Sequence, residues 1–429
     1  MDSTSPDLIS TTARTDAVHP DPAVPASPVA QHPHMHVIAS RGEYLDAVTA
    51  LAAGHGPIAI DAERASGFRY SQRAYLIQIF RRGSGTFLLD PPAIGSLSEL
   101  NTVIREEEWV LHAASQDLAC LREVGLDPTR IFDTELGARL AGLPRVGLGT
   151  VVEELLGIHL AKEHSAADWS TRPLPQSWLV YAALDVELLP DLRDALSALL
   201  DAQRKSTVAA QEFDAVLTRE AKPAPGEPWR RLSGLHAVRG ARGLAVAREL
   251  WFARDAYAQE IDTSPGRLVP DSSLVAAAKV LPETKKDLAA LREFNGRASR
   301  TEITRWWEAI ERGKISEDLP SAHTVGDSVP PPRVWSDRNP VADRRLKLSR
   351  AALTEVSQLL TIPLENLLTP DTLRRLAWTP PEDRSIEAIR DRLLASGARL
   401  WQIAATAQAI TRAFVDADQG PGEVVPPPS

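Results

Sequence analysis

Short apolar runs alternate with helical stretches over residues 35–215, and a long segment with helical periodicity and few strand signals follows. Together they predict an α/β domain, a mixed sheet flanked by helices, followed by two all-α helical bundles. A third observation makes the sheet mixed: a turn of a few residues joins two of the apolar runs, which implies antiparallel pairing there.

The elements follow in order. Residues 1–34 are rich in Ser, Thr, Pro and His without apolar periodicity, and predict a disordered tail in which His32 and His34 are solvated. Ordered chain begins at Met35-His36-Val37-Ile38. A helix over 41–53 precedes a strand over 57–62, entered through Gly56-Pro57. Tyr75-Leu76-Ile77-Gln78-Ile79-Phe80 marks a strand over 74–80, with Gln78 hydrogen-bonded inside the sheet. Arg81-Arg82-Gly83-Ser84-Gly85 turns it into a strand over 86–89. Helix 96–106, strand 109–113, helix 116–124, strand 130–133 and helix 134–141 continue the alternation, and helices near 149–157 and over 176–201 close one side. Gly147-Leu148-Gly149 is no phosphate loop, because no lysine follows it.

Beyond this domain, residues 216–234 form a linker containing Lys222-Pro223-Ala224-Pro225-Gly226-Glu227-Pro228. A bundle over 235–316, a Pro-rich spacer over 317–340, a second bundle over 341–415 and a disordered tail over 416–429 complete the chain. Val329-Pro330-Pro331-Pro332 makes the spacer stiff and extended. Amphipathic helices over 240–262 and 342–361 each lead into a Pro-Asp segment, Arg267 to Leu274 and Asn366 to Leu373. There Asp271 and Asp371 are expected to cap the next helix. Trp251, Trp306 and Trp307 read as core.

Composition narrows the function classes. At 429 residues the chain exceeds one ordinary core, and 43% apolar residues suffice for globular packing. Cys120 is the single cysteine, which excludes a disulfide framework, and its apolar helix makes it buried filler. Without a membrane-length apolar stretch or a signal-peptide core, the reading places the protein in the cytoplasm, with no membrane partner and no deducible protein partner. A net charge of −9 is unusual for a nucleic-acid enzyme, yet basic clusters occur at Arg81-Arg82, at Trp229-Arg230-Arg231 through Arg239, Arg242 and Arg248, and at Arg344-Arg345 with Lys347 and Arg350.

The chemistry lies in three short motifs. Asp61 and Glu63 end the strand in Ile58-Ala59-Ile60-Asp61-Ala62-Glu63, and strand alternation points them to one face. Asp117 follows Leu111-His112-Ala113-Ala114-Ser115-Gln116, where His112 reads as a packed strand-end histidine. Tyr181 and Asp185 stand four apart in Tyr181-Ala182-Ala183-Leu184-Asp185, on one helix face. Converging carboxylates repel unless cations neutralise them. Two divalent metal ions, Mg²⁺ or Mn²⁺, about 4 Å apart would do so and would clamp the attacking and leaving oxygens of a phosphodiester. Hard oxygen donors without a cysteine cluster disfavour zinc.

These motifs resemble the three signatures of the DEDD 3′–5′ exonucleases in their tyrosine-bearing branch. The block Ser165-Ala166-Ala167-Asp168-Trp169-Ser170-Thr171-Arg172-Pro173-Leu174 ahead of Tyr181 is similar to the ribonuclease D family, as is the strand 75–80. The resemblance implies a ribonuclease-H-like fold over residues 35–215 and a 3′–5′ exoribonuclease releasing 5′-monophosphates from RNA 3′ ends, tRNA precursors among them. It implies that Asp61 bridges both metals, that Glu63 and Asp185 complete the water-activating site, that Asp117 serves the second metal, and that Tyr181 orients the attacking water. Ala62 departs from the family's usual threonine, at a position where the backbone suffices. Trp169 and Arg172 either position the scissile strand or anchor the loop beside the site.

The two C-terminal bundles resemble HRDC domains, which would guide a 3′ end using the basic clusters, with Trp229 as a stacking surface, or would brace the catalytic domain. Two alternatives remain open. One is a 3′–5′ DNA exonuclease, although no G-x-x-x-x-G-K-[ST] motif accompanies the site. The other is an RNA-binding adaptor in which the acids are dispensable.

Overall fold

Residues 35–160, 167–220, 226–321 and 329–419 are described in the computed structural model. The expectations for 1–34 with His32 and His34, for 221–225 of the linker, for Ser165 and Ala166, and beyond 419 lie outside the described residues.

The apolar runs assemble into a six-stranded mixed sheet of order β1-β4-β3-β2-β5-β6. Its strands are β1 (Val37–Ile38), β2 (His55–Arg64), β3 (Ala74–Arg82), β4 (Gly85–Leu89), β5 (Glu108–Leu111) and β6 (Arg130–Asp133). β3 runs antiparallel to β2 and β4, and the other pairs are parallel. Tyr75 to Ile79 is buried throughout, so both faces of β3 are covered and the run lacks polar alternation. Gly83 (φ 85°) and Gly85 (φ 93°) form the β3–β4 turn in a region that side chains rarely enter.

The structure departs from expectation where the chain turns. The helix expected over 176–201 is two, Gln176–Glu187 and Leu189–Ala202, because Pro190 has no N–H with which to continue the first. The strand expected over 109–113 stops at Leu111, and Ala113 adopts a left-handed φ of 64°. The helix expected over 116–124 becomes a 3₁₀ turn, Ala114–Gln116, followed by Leu118–Glu123. A helix over Ser206–Leu217, absent from the sequence reading, packs on β6.

The first C-terminal bundle has its own core around Trp229, Leu250, Phe294 and Trp306. Its helices Gly240–Glu260 and Ile303–Ile315 approach closely at Gly313, where a Cβ would lie 2.6 Å from Val246 Cα. Trp229 is therefore a buried anchor whose indole donates to Glu227 (3.0 Å), neither linker nor stacking surface. Asp271 does not cap its helix, since its carboxylate accepts from Arg254 (2.7 Å) and from the Ser233 N–H (2.8 Å). Thr369, not Asp371, caps the equivalent helix of the second bundle, and Asp371 pairs with Arg375 (2.6 Å).

The second bundle shares one continuous core with the catalytic domain. Trp335, within the expected spacer, is buried in it, and the last helix extends from Leu400 to Gln419, into the expected tail. Glu212 on the catalytic side accepts two hydrogen bonds from Arg399 (both 2.6 Å) and one from the Trp401 indole (2.7 Å). Lys205 donates to Leu140 O (2.7 Å) and to Thr361 Oγ1 (3.0 Å).

Candidate metal centre

β2 and β5 are parallel neighbours, so their C-terminal ends meet at one edge of the sheet. Asp61 and Glu63 emerge from the end of β2, and Asp117 lies just past the end of β5. The helix Gln176–Glu187 crosses β2, β3 and β4 and carries Tyr181 and Asp185 to the same place. Carboxylate oxygens of Asp61, Glu63 and Asp185 come within 4.8 Å of one another. Asp117 stands outside this trio but bears on it electrostatically, raising Glu63 and being raised by Asp61. The structure thus brings together all five residues read from the sequence, three of them as a tight cluster.

Burial sets the electrostatics. It is the largest cause of every shift here, and mutual repulsion adds to it. Glu63 is pushed up to about 9, by burial and then by Asp61, Asp185 and Asp117. Asp117 is pushed up to about 8, by burial and then Asp61. Asp61 is raised by burial, and Asp185 is held well above the carboxylate range by burial and then Asp61. The Tyr181 phenol, hydrogen-bonded with Asp185, is raised by burial and then by that carboxylate. Arg64 is the cation that lowers Asp61, Glu63 and Asp117. Such a site holds protons until positive charge replaces them, and its oxygen donors fit a divalent cation.

Gln78 is paired with Asp61 across the β2–β3 ladder and is fully buried, so the two side chains share a face of the sheet. Contrary to expectation it makes no hydrogen bond within the sheet: neither amide atom has a partner. An unpaired buried amide costs free energy, which suits a polar centre completed by bound groups.

Sequence reasoning missed Asp133. It ends β6 beside Leu111 and accepts from the N–H groups of Ala113 (3.0 Å), Ala114 (2.9 Å), Glu135 (3.0 Å) and Leu136 (3.1 Å). One carboxylate therefore caps a helix and holds the turn leading to Asp117. An aspartate at a strand-to-helix boundary is a cap signal that could have flagged it.

The other tempting residues are structural. His112 bonds Thr134 Oγ1 (2.9 Å), and burial lowers it to about 4. Cys120 is buried against Asp117 O (3.1 Å). Arg172 pairs with Asp90 (2.6 Å) and donates to the carbonyls of Trp169 and Tyr75 (2.8 Å each), while Trp169 is buried, so this block anchors its loop. The basic clusters are largely spent inside the protein. Arg81 donates to Leu51 O (3.0 Å), Arg82 to Asp194 (2.8 Å), Arg248 to Asp318 (2.8 Å) and Arg345 to Asp418 (2.7 Å).

Residues 36–201 match a family model described as 3′–5′ exonuclease, 243–310 one described as HRDC domain, and 328–414 one described as 3′ to 5′ exonuclease C-terminal domain. Ribonuclease D of Jannaschia sp. (strain CCS1) is 32% identical over 304 residues, covering 69% of this chain and 75% of that one. Ribonuclease D of Escherichia coli (strain K12) is 28% identical over 324 residues, covering 74% and 84%. A crystal structure of a protein from Bifidobacterium adolescentis superposes with a TM-score of 0.82 at 37% identity, over 89% of this chain and 97% of that one. Among the described residues no helix is long and apolar enough to cross a membrane.

Proposed function

Because the chain belongs to the ribonuclease D family and is a metal-dependent 3′–5′ exoribonuclease, we propose that Asp61, Glu63, Asp117 and Asp185 hold two divalent cations and that the substrates are structured RNA 3′ ends, tRNA precursors among them. The observation that carries this reading is the meeting of Asp61, Glu63 and Asp185 oxygens within 4.8 Å, with Asp117 beside them. Bound cations would supply Lewis acidity toward water and toward the phosphodiester oxygens.

The chain's own residues do the rest. Asp61 is the one carboxylate whose charge acts on Glu63, Asp117 and Asp185 alike, which fits a carboxylate shared by both cations. The Tyr181 phenol, kept protonated by burial and its acidic neighbours, is a donor that can orient the attacking water. We assign residues 35–215 to catalysis and 235–316 to an HRDC bundle, and read 341–415 as a second bundle of HRDC type. The second bundle braces the catalytic domain through its shared core. The first touches the loop after Glu63: Asp262 accepts from Ser71 N (2.8 Å) and Tyr75 (3.1 Å), and Arg267 donates to Gly67 O (2.7 Å). A strand end guided along that bundle would arrive beside the acids.

Asp61→Asn should abolish turnover and Mn²⁺ uptake while leaving RNA binding largely intact. The measurement is calorimetric titration with Mn²⁺ together with cleavage of a 3′-extended tRNA, a single-stranded RNA and a DNA oligomer. Retained cleavage in the variant would remove the metal scheme, and faster wild-type cleavage of DNA than of either RNA would remove the substrate assignment.

A further inference from the structure

Arg64 directly follows Glu63, at the end of the strand that supplies two of the acids. The β2–β3 register slips between Glu63 and Arg64: Glu63 faces Leu76, while Arg64 faces Ala74. The extra residue of this irregularity, Tyr75, is on β3, so regular pairing is interrupted where Arg64 follows Glu63, and such interruptions are common beside active sites. The Arg64 charge favours the ionised forms of Asp61, Glu63 and Asp117 alike, as a half-buried guanidinium next to Glu63 would.

What sets Arg64 apart is that its guanidinium has no side-chain partner among the described residues. It is half-buried, yet among the described residues its side chain makes no hydrogen bond or ion pair. Arginines nearby are engaged: Arg69 with Ser170 (2.8 Å), Arg73 with Asp262 (3.8 Å), Arg172 with Asp90 (2.6 Å). Partly burying a guanidinium without fixed partners is unfavourable, and its five donors cannot be silenced by deprotonation. A ligand oxyanion would satisfy it.

Charge accounting identifies that oxyanion. With two divalent cations bound, as proposed above, the four carboxylates are neutralised. The RNA then brings a phosphodiester whose negative charge grows as water attacks, and no carboxylate can balance it. A planar guanidinium, with donors spaced to match two phosphate oxygens, can.

We propose that Arg64 is a catalytic residue that grips the phosphate of the 3′-terminal nucleotide through cleavage and keeps hold of it in the 5′-monophosphate product. This rests on the metal-site reading above. The same position explains why Arg64 is not a scaffold for the acids: a cation beside a cation site opposes metal entry, so its removal should not weaken the metal.

The test uses the full chain with Arg64→Gln and Arg64→Lys, AMP as the product probe in saturating Mn²⁺, and single-turnover cleavage of an RNA oligomer. Arg64→Gln is expected to take up Mn²⁺ at least as tightly as the unsubstituted protein, to bind AMP about tenfold more weakly, and to cleave on the order of 100-fold more slowly. Arg64→Lys should recover part of the AMP affinity, since it keeps the charge without the fork. Unchanged AMP affinity in Arg64→Gln with Mn²⁺ uptake intact would overturn the proposal, as would loss of Mn²⁺ uptake in both variants. If the unsubstituted protein itself took up no Mn²⁺, the metal-site reading would fail first and be recognised as the cause.

Discussion

Replacing Glu63 by glutamine should stabilise the metal-free protein in mildly alkaline buffer, although it removes an ionisable carboxyl from a buried acidic site. In the fold the Glu63 carboxyl is pushed from 4.5 up to about 9 by burial and by Asp61, Asp185 and Asp117. The folded state therefore holds this proton across a pH range in which the unfolded chain has released it. With the folded value raised, stability is fully present below about pH 4.5 and is lost as pH rises toward 9, at about 1.4 kcal/mol per pH unit. From pH 5 to pH 8 the loss from this group has a ceiling of about 4 kcal/mol. Glutamine has the same shape and no proton to lose. The variant should match the unsubstituted protein near pH 5 and exceed it increasingly toward pH 8. Urea denaturation in EDTA, followed by tryptophan fluorescence at several pH values, reads this difference. Parallel stability curves from pH 5 to pH 8 would refute the reasoning, because they would mean that Glu63 is already ionised in the empty fold. Adding Mn²⁺ should offset much of this difference, because the unsubstituted protein gains about 2.7 kcal/mol at a hundredfold excess over Kd and the variant gains far less.

Tyr181→Phe should leave Mn²⁺ uptake unchanged and slow single-turnover cleavage about 100-fold, the cost of a misoriented water; cleavage at the original rate would reduce the tyrosine to packing. Glu212→Ala should destabilise the junction between the catalytic domain and the last bundle by about 3 kcal/mol, because it strands the Arg399 charge and the Trp401 N–H. Thermal unfolding with the midpoint unmoved would show that the shared apolar core alone holds the two together.

Local patterns in the chain were enough for the strands over 57–62, 74–80 and 86–89 and for the antiparallel turn at Gly83 and Gly85, while Asp61, Glu63, Asp117, Tyr181 and Asp185 stood out as a candidate site through three short motifs and their family resemblance. Each is written in neighbours within a few residues: alternation, glycine at a turn, side chains four apart on a helix. The tertiary structure alone decided the rest. Arg81, Arg248 and Arg345 read as a basic footprint until their carbonyl and carboxylate partners came from distant segments. Trp229 read as an exposed platform until a bundle closed over it. Asp133 became the support of the Asp117 turn because β5 and β6 lie side by side, and Arg64 acquired its meaning because it is half-buried beside Glu63 with no side-chain partner among the described residues. Identity and spacing specify which groups a chain can offer, whereas burial and pairing depend on what folds against them, and these set the charge state of every group in the site.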